Sequence, residues 1–475
     1  MRNSRKDTLL LAAGVLGAFG AGLAAGRRIA RTAPATHANR DEGLPRASLL
    51  DTLALGLEVF APVVAQGVII RRPPMMALAE RFDTHRRAIR RMQKLRDKYG
   101  PGPLMLPLPI RKQAVVLDPA HAQRVLDESP VPFSAASTEK RAALSHFEPK
   151  GVLLSTGRER ADRRRFNEAA LDTAHPMHRM AASFLPIVEE EAARMLAQAG
   201  GTLDWTTWSE GWYRLIRRVV LGNSAADDQE LQALIVRLRG AANWAGFHPK
   251  MPAKRERFLT RIQIYLERAE PGSLAGYMAG IARSATTAPR QQVPQWLFAF
   301  DAAVMASFRA LALLASHPGQ LTRAREEIAA HQPGQPLPFL RACMLEALRL
   351  WPTTPMVLRQ STSETRWEHG SMPADTGVLI HAPFFHRDDT RLEHADRFTP
   401  ALWLDGRTAG QDWPLIPFSD GPVMCPGRHL VLMLSSAMLA TLLGARPLAQ
   451  TGGLAPDPRR LPGTLDNFAL RFRLG

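Results

Sequence analysis

Residues 415–431, Leu-Ile-Pro-Phe-Ser-Asp-Gly-Pro-Val-Met-Cys-Pro-Gly-Arg-His-Leu-Val, place Cys425 in a turn forced by Gly421, Pro422, Pro426 and Gly427. An apolar run without a breaker, Leu430 to Leu443, follows and predicts a helix. The thiol therefore stands at a loop-to-helix junction. Free backbone N–H groups and the helix's partial positive charge favour a thiolate there, which is a metal-ligand environment. Taken alone, a cysteine after a Gly/Pro turn is more often buried and inert. The only other cysteine, Cys343, has no partner once Cys425 is reserved as a ligand, so no disulfide is expected.

Four positions, Phe418, Gly421, Cys425 and Gly427, resemble the haem-binding loop of the cytochrome P450 family. The resemblance implies that Cys425 is the proximal thiolate ligand of haem iron. It also implies that Phe418 packs beside the ligand, and that Gly421 and Gly427 let backbone N–H groups approach the sulfur. Two residues before the cysteine, where the family usually has His or Arg, stands Val423, so one contact to a haem propionate is missing.

Other motifs occur in the family's order. In Gly157–Phe166, Arg160 and Arg164 lie four apart and share a helix face. The resemblance makes them propionate ligands, with Arg160 replacing the usual Trp or His; Arg158 and Arg163 read as part of a solvated charge run. Glu346 and Arg349, three apart among Leu345, Leu348, Leu350 and Trp351, read as a buried pair that wants a further partner. The resemblance supplies one from the loop Ala395–Trp403, with Arg397 as third member. Arg359 follows the prolines at the spacing of another propionate-binding arginine. His381 and His386 read as satisfied structural histidines.

The run Gln295 to Ser316 is apolar almost all round and ends at His317-Pro318, which predicts a central helix. By resemblance this is the oxygen-activating helix. Asp301 falls on the family's acidic position, Ala299 on its glycine, and Ala302 on the threonine that ordinarily positions water for proton delivery. Ala302 and Ala303 carry no donor, and Ser307 lies more than a turn beyond. Asp301 with water, or a substrate hydroxyl, is therefore expected to replace the relay, unless peroxide is used directly.

Composition bounds the remainder. The net charge of +17 comes from 53 Arg against 8 Lys, with no aromatic-interleaved basic patch, and nucleic-acid binding is not expected. Residues 1–100 hold 18 Lys/Arg against 8 Asp/Glu, which suits an anionic membrane surface or an acidic protein partner. Residues 9–26 are uncharged and apolar between basic flanks, at the short end for a membrane anchor. Ala33-Pro-Ala35 offers the alternative of a signal-peptide site. Leu49 to Ile70 reads as an amphipathic surface or packing helix with Asp51 and Glu58 on one face, or as a loosely docked extension. Thr84–Tyr99 reads as a basic helix, Leu104–Leu108 and Gln113–Leu117 as strands, and Pro119–Asp127 as a helix. Residues 183–290 read as successive helices; the resemblance makes them the roof over the substrate, where Trp244, Phe247 and Tyr265 either line that roof or pack in the core.

Taken together, the resemblance implies a mainly α fold. An anchor or signal segment with linker (1–47) and an amphipathic extension (48–83) would precede a large helical haem domain with a small β-sheet region (84–475). It implies haem b with a cysteine thiolate, dioxygen and a small, hydrophobic organic substrate. Electrons would come from an external ferredoxin or flavoprotein reductase. The expected location is the membrane, with the catalytic domain on the cytoplasmic side; a cytoplasmic or exported protein is the alternative. The rival functions are a peroxide-driven peroxygenase or isomerase-type relative, and a non-catalytic haem sensor or carrier.

Overall fold

The computed structural model describes residues 43–406, 408 and 415–475. The apolar run 9–26 and the Ala33–Ala35 site lie outside the described residues. The central helix is Val293–Ser316, two residues longer at its start than the apolar pattern alone predicts, because Pro294 suits a first helical turn. It is buried along most of its length and packs against helices Trp205–Leu221, Pro338–Leu350 and Arg428–Ala445. Trp208 is fully buried, donates its indole N–H to Val304 O at 2.9 Å, and stacks on Phe308 with ring centroids 5.2 Å apart.

Beside this helical core lies a five-stranded sheet, in the order Leu104–Leu106, Gln113–Val115, Gly377–His381, Met356–Ser361, Phe133–Ser134. The first two strands are shorter than the sequence suggests, the first ending before Pro107, which cannot donate to a ladder. Along Met356–Ser361 burial alternates, so Val357, Arg359 and Ser361 share the enclosed face. That register carries a guanidinium into the interior. The helices Thr84–Tyr99 and Pro119–Asp127 form as expected.

The segment before Thr84 is firmly docked rather than a loose extension. Leu49–Gln66 is helical throughout, with a π-helical stretch at Gly56–Phe60. Its acidic groups face the basic helix: Asp51 accepts from Lys98 Nζ and Tyr99 Oη, both at 2.6 Å, and Glu58 accepts a forked pair of bonds from Arg91. The outward side instead carries Leu49, Leu50 and Leu57, all exposed. After this helix the chain makes a tight turn. Gly67 sits at φ +96°, where a Cβ would lie 2.1 Å from Ile70 O, so only glycine fits. Asn243 clamps the turn, accepting from Ile69 N at 2.8 Å and Ile70 N at 3.1 Å and donating to Ile70 O at 2.8 Å. Val68–Arg71 thereby becomes part of an interior wall.

Replacing Asn243 with Ala leaves two backbone donors and one acceptor without partners, and is expected to lower stability by about 1–3 kcal/mol in urea unfolding.

Candidate active site

Cys425 is reached through a loop held by its own backbone. Cys425 N donates to Phe418 O at 3.0 Å and Met424 N to Gly421 O at 2.9 Å, while Thr173 Oγ1 donates to Pro426 O at 2.7 Å. The Gly427 N–H points at the sulfur and favours its ionised form, as do the charges of Arg164 and Arg428; burial opposes them and wins, so the free thiol is pushed up. The local groups that the sequence places around the thiol thus favour the thiolate while burial opposes it, and a bound cation would tip the balance toward the ionised form. Gly421 has a different role from the one expected. It does not border the cavity; at φ +65°, its missing Cβ lets the loop press against Leu126 O, which a Cβ would approach to 2.3 Å.

Cys425 opens into a cavity of about 520 Å³ bounded by Phe418, Val423 and Gly427 on one side and Ala299, Ala302 and Ala303 of the central helix on the other. Three cations at its edge have no carboxylate partner among the described residues. Arg160 donates only to Val152 O, Lys140 to Leu358 O, and Arg359 to Ser129 Oγ, Ser419 Oγ and Leu358 O. Burial first, then repulsion from nearby arginines, holds all three below their ordinary affinity for a proton: Arg160 feels Arg164, Arg359 is held at about 10 beside Arg160, and Lys140 lies far below a normal lysine beside Arg359 and Arg160. A cluster of like charges removed from water calls for an anion. Arg164 also borders the cavity, but it pairs with Glu168 at 2.6 Å and donates to Met424 O at 2.7 Å, bracing the residue before the cysteine. Arg163 is buried, not solvated, and bonds Thr286 O and Ser155 Oγ. Lys140, on the short helix Thr138–Leu144, belongs to no recognisable motif, and only its location reveals it.

These residues fit haem b. A thiol stands on one face of the cavity, small alanines on the other, and three uncompensated cations at the rim match two propionates. Haem bound here would be held by the Cys425 thiolate and by Lys140, Arg160 and Arg359 through its carboxylates.

On the distal side Asp301 does not stand free. Arg239, from helix Gln229–Ala242, forms a buried ion pair with it, lies 4.8 Å above the Phe298 ring and donates to Ile69 O at 3.4 Å. Tyr213 lies close by, its hydroxyl kept protonated by burial and by the Asp301 charge. Ser307 bonds back to Ala303 O at 2.6 Å within its own helix and offers nothing to the cavity. The aromatic candidates for the roof lie elsewhere. Phe247 is 87% exposed, Trp244 lies under Arg72, and Tyr265 donates to Asp228 at 2.7 Å. Trp205, Ser209, Tyr213 and Val236 line the roof instead.

Glu346 and Arg349 are both completely buried and joined by two bonds of 2.6 and 2.8 Å. Glu346 also accepts from Thr399 N and Trp403 Nε1, and Arg349 donates to the carbonyls of His386, His394, Ala395 and Arg397. Arg397 thus joins through its backbone oxygen; its side chain is exposed, so it is not a third charge in the cluster. His386 is satisfied as expected, whereas neither ring nitrogen of His381 has a partner.

Residues 290–445 match the family model for cytochrome P450. Drimenol monooxygenase of Persicaria hydropiper is 29% identical over 160 residues, covering 31% of this chain and 32% of that one. Sugiol synthase of Salvia miltiorrhiza is 31% identical over 142 residues, covering 27% and 29%. The matched stretch therefore spans about a third of these curated relatives' length. Among solved structures, retinoic acid-bound cyanobacterial CYP120A1 superposes with a TM-score of 0.64 at 15% identity, covering 81% of this chain and 94% of that one.

Glu346→Ala leaves Arg349 buried and uncompensated, and should cost about 3–5 kcal/mol. The expected readout is loss of both soluble protein and haem absorbance, with the Glu346→Gln variant intermediate.

Proposed function

We propose that the chain, whose residues 290–445 match the cytochrome P450 family model and whose fold is that of solved cytochromes P450, is a haem-thiolate monooxygenase inserting one oxygen atom into a hydrophobic organic substrate. The observation that carries this reading is the half-buried Cys425 thiol facing a cavity whose rim holds three cations unpaired among the described residues. Haem bound there supplies electron transfer and activation of dioxygen, with electrons from an external ferredoxin or flavoprotein reductase.

The protein's own residues have separable tasks. Gly427 N–H and the charges of Arg164 and Arg428 stabilise negative charge on Cys425 Sγ. Lys140, Arg160 and Arg359 fix the cofactor's orientation through its carboxylates. The apolar wall of the cavity excludes bulk water, so a proton must arrive through a specific group. Ala302 cannot supply it, and Asp301 is tied to Arg239. Opening of the Arg239 contact would release Asp301 for that role, and a substrate hydroxyl is the other donor. The alanine at 302 also supports a second reading, a peroxide-driven enzyme, which turns over without any reductant.

Membrane association is supported by Leu49–Gln66, which is long and apolar enough to cross a bilayer and exposes Leu49, Leu50 and Leu57. We assign the catalytic domain to the cytoplasmic side, where reductants are available.

Cys425→Ser is expected to abolish the thiolate-type spectrum of the reduced, CO-bound protein; a surviving spectrum refutes the assignment of the ligand. Ala302→Thr should reduce peroxide release per electron pair on substrates lacking a hydroxyl, measured against reductant consumed, and unchanged leakage counts against a missing relay at this position.

A further inference from the structure

The cavity holds one more cation than the cofactor accounts for. Arg71 lies on the wall formed by the turn after Gly67 and shares no hydrogen-bond partner with Lys140, Arg160 or Arg359 among the described residues. Its Nη1 donates to Gly67 O, and its Nη2 donates to Thr353 O at 2.6 Å. Thr353 precedes the strand Met356–Ser361. The stretch of that strand from Met356 to Arg359 alone spans roughly 10 Å, so the carbonyl that holds Arg71 and the arginine of the cluster are well separated along the chain.

No carboxylate among the described residues pairs with Arg71. The one acid that borders the cavity, Asp301, is already taken by Arg239. Burial alone lowers the guanidinium's proton affinity, to about 10, and no acidic group offsets it. A guanidinium has five N–H donors in a rigid fork, and two are used here. The two carbonyl bonds fix the plane of the fork while leaving donors for a ligand. Around it Val68, Ile69, Met356 and Phe468 make the lining apolar.

We infer that Arg71 is a specificity-determining residue that receives the carboxylate of an amphiphilic substrate whose apolar body extends through the cavity toward Cys425. A fixed planar donor in an apolar wall suits a carboxylate, which can accept two parallel bonds. The same wall disfavours a cationic head group and gives an uncharged one no ionic partner. This assignment rests on the haem-thiolate reading, because it takes Lys140, Arg160 and Arg359 as engaged by the cofactor.

The test uses the full-length ferric holoprotein titrated with matched pairs of acids and methyl esters, from octanoic to hexadecanoic, with the spin-state change as readout. In the wild type the acid of at least one pair should bind roughly 10–100-fold tighter than its ester. Arg71→Gln should remove that preference by weakening the acid and leaving the ester unchanged, and Arg71→Lys, which keeps the charge but not the planar fork, should restore only part of it. Equal binding of acid and ester across the series overturns the proposal without recourse to any variant. So does an equal loss of both ligands in Arg71→Gln, which would reduce Arg71 to a clamp between Gly67 and Thr353. A wild-type protein that lacks the thiolate-type CO spectrum on the same samples refutes the haem-thiolate reading instead, so the two failures are told apart.

Discussion

The buried pair of Glu346 and Arg349 is the constraint on which the cysteine's position depends. Neither side chain touches solvent, so each must satisfy its remaining hydrogen-bonding capacity from the chain around it. Glu346 takes two donors from the loop that ends at Trp403, and Arg349 takes four carbonyls from residues 386–397. His386 extends the network. Its Nε2 accepts from Ile416 N at 2.9 Å, so its proton sits on Nδ1, facing Arg349 O. Burial keeps this ring neutral, with its pKa lowered to about 3, and so keeps that tautomer in place. Two residues past Ile416, Phe418 O accepts from Cys425 N. A continuous set of bonds therefore runs from the ion pair to the residue that carries the thiol.

The opposite wall of the cavity is built on another principle. There the central helix presents alanines, and the only acid bordering the cavity among the described residues, Asp301, is paired with Arg239. Arg239 also reaches Ile69 O, and Asn243 on the same stretch of chain clamps Ile69 and Ile70. The N-terminal turn, the roof and Asp301 are thus one connected unit. A movement of the roof that parted Arg239 from Asp301 would also disturb the wall carrying Arg71. The network behind the cysteine and the one behind Asp301 share no residue.

The proximal half was legible in the sequence because its parts are local: a Gly/Pro turn, a pair three residues apart, a pair four apart. Short spacing within one element fixes which side chains meet. The same reasoning placed Arg160 and Arg359 at the cavity but misjudged Arg397, since no spacing rule says whether a loop contributes a side chain or a carbonyl. It also misread Arg163, whose burial depends on Thr286 O, over a hundred residues away. Lys140, Arg239 and Arg71 were invisible for the same reason. Each acquires its meaning from a partner, or from the lack of one, that only the tertiary fold supplies. The roof differs: residue type alone left its aromatics open between lining and core packing, and the fold places Tyr265 in the core on Asp228 and Phe247 in solvent.

Val423 shows how such a departure can be absorbed. An apolar side chain there removes a cation close to the cysteine in sequence, and the residue is 7% exposed, packed where a charge would have been costly without a partner. The cation count at the rim nevertheless stays at three, because Lys140 enters from a helix nearly three hundred residues earlier and leans on Leu358 O, next to Arg359. What a dianionic cofactor demands of its pocket is net positive charge within reach, not charge from a given position in the chain. A site can therefore lose a residue of its expected pattern and keep its electrostatics, provided the fold brings another element to the same place.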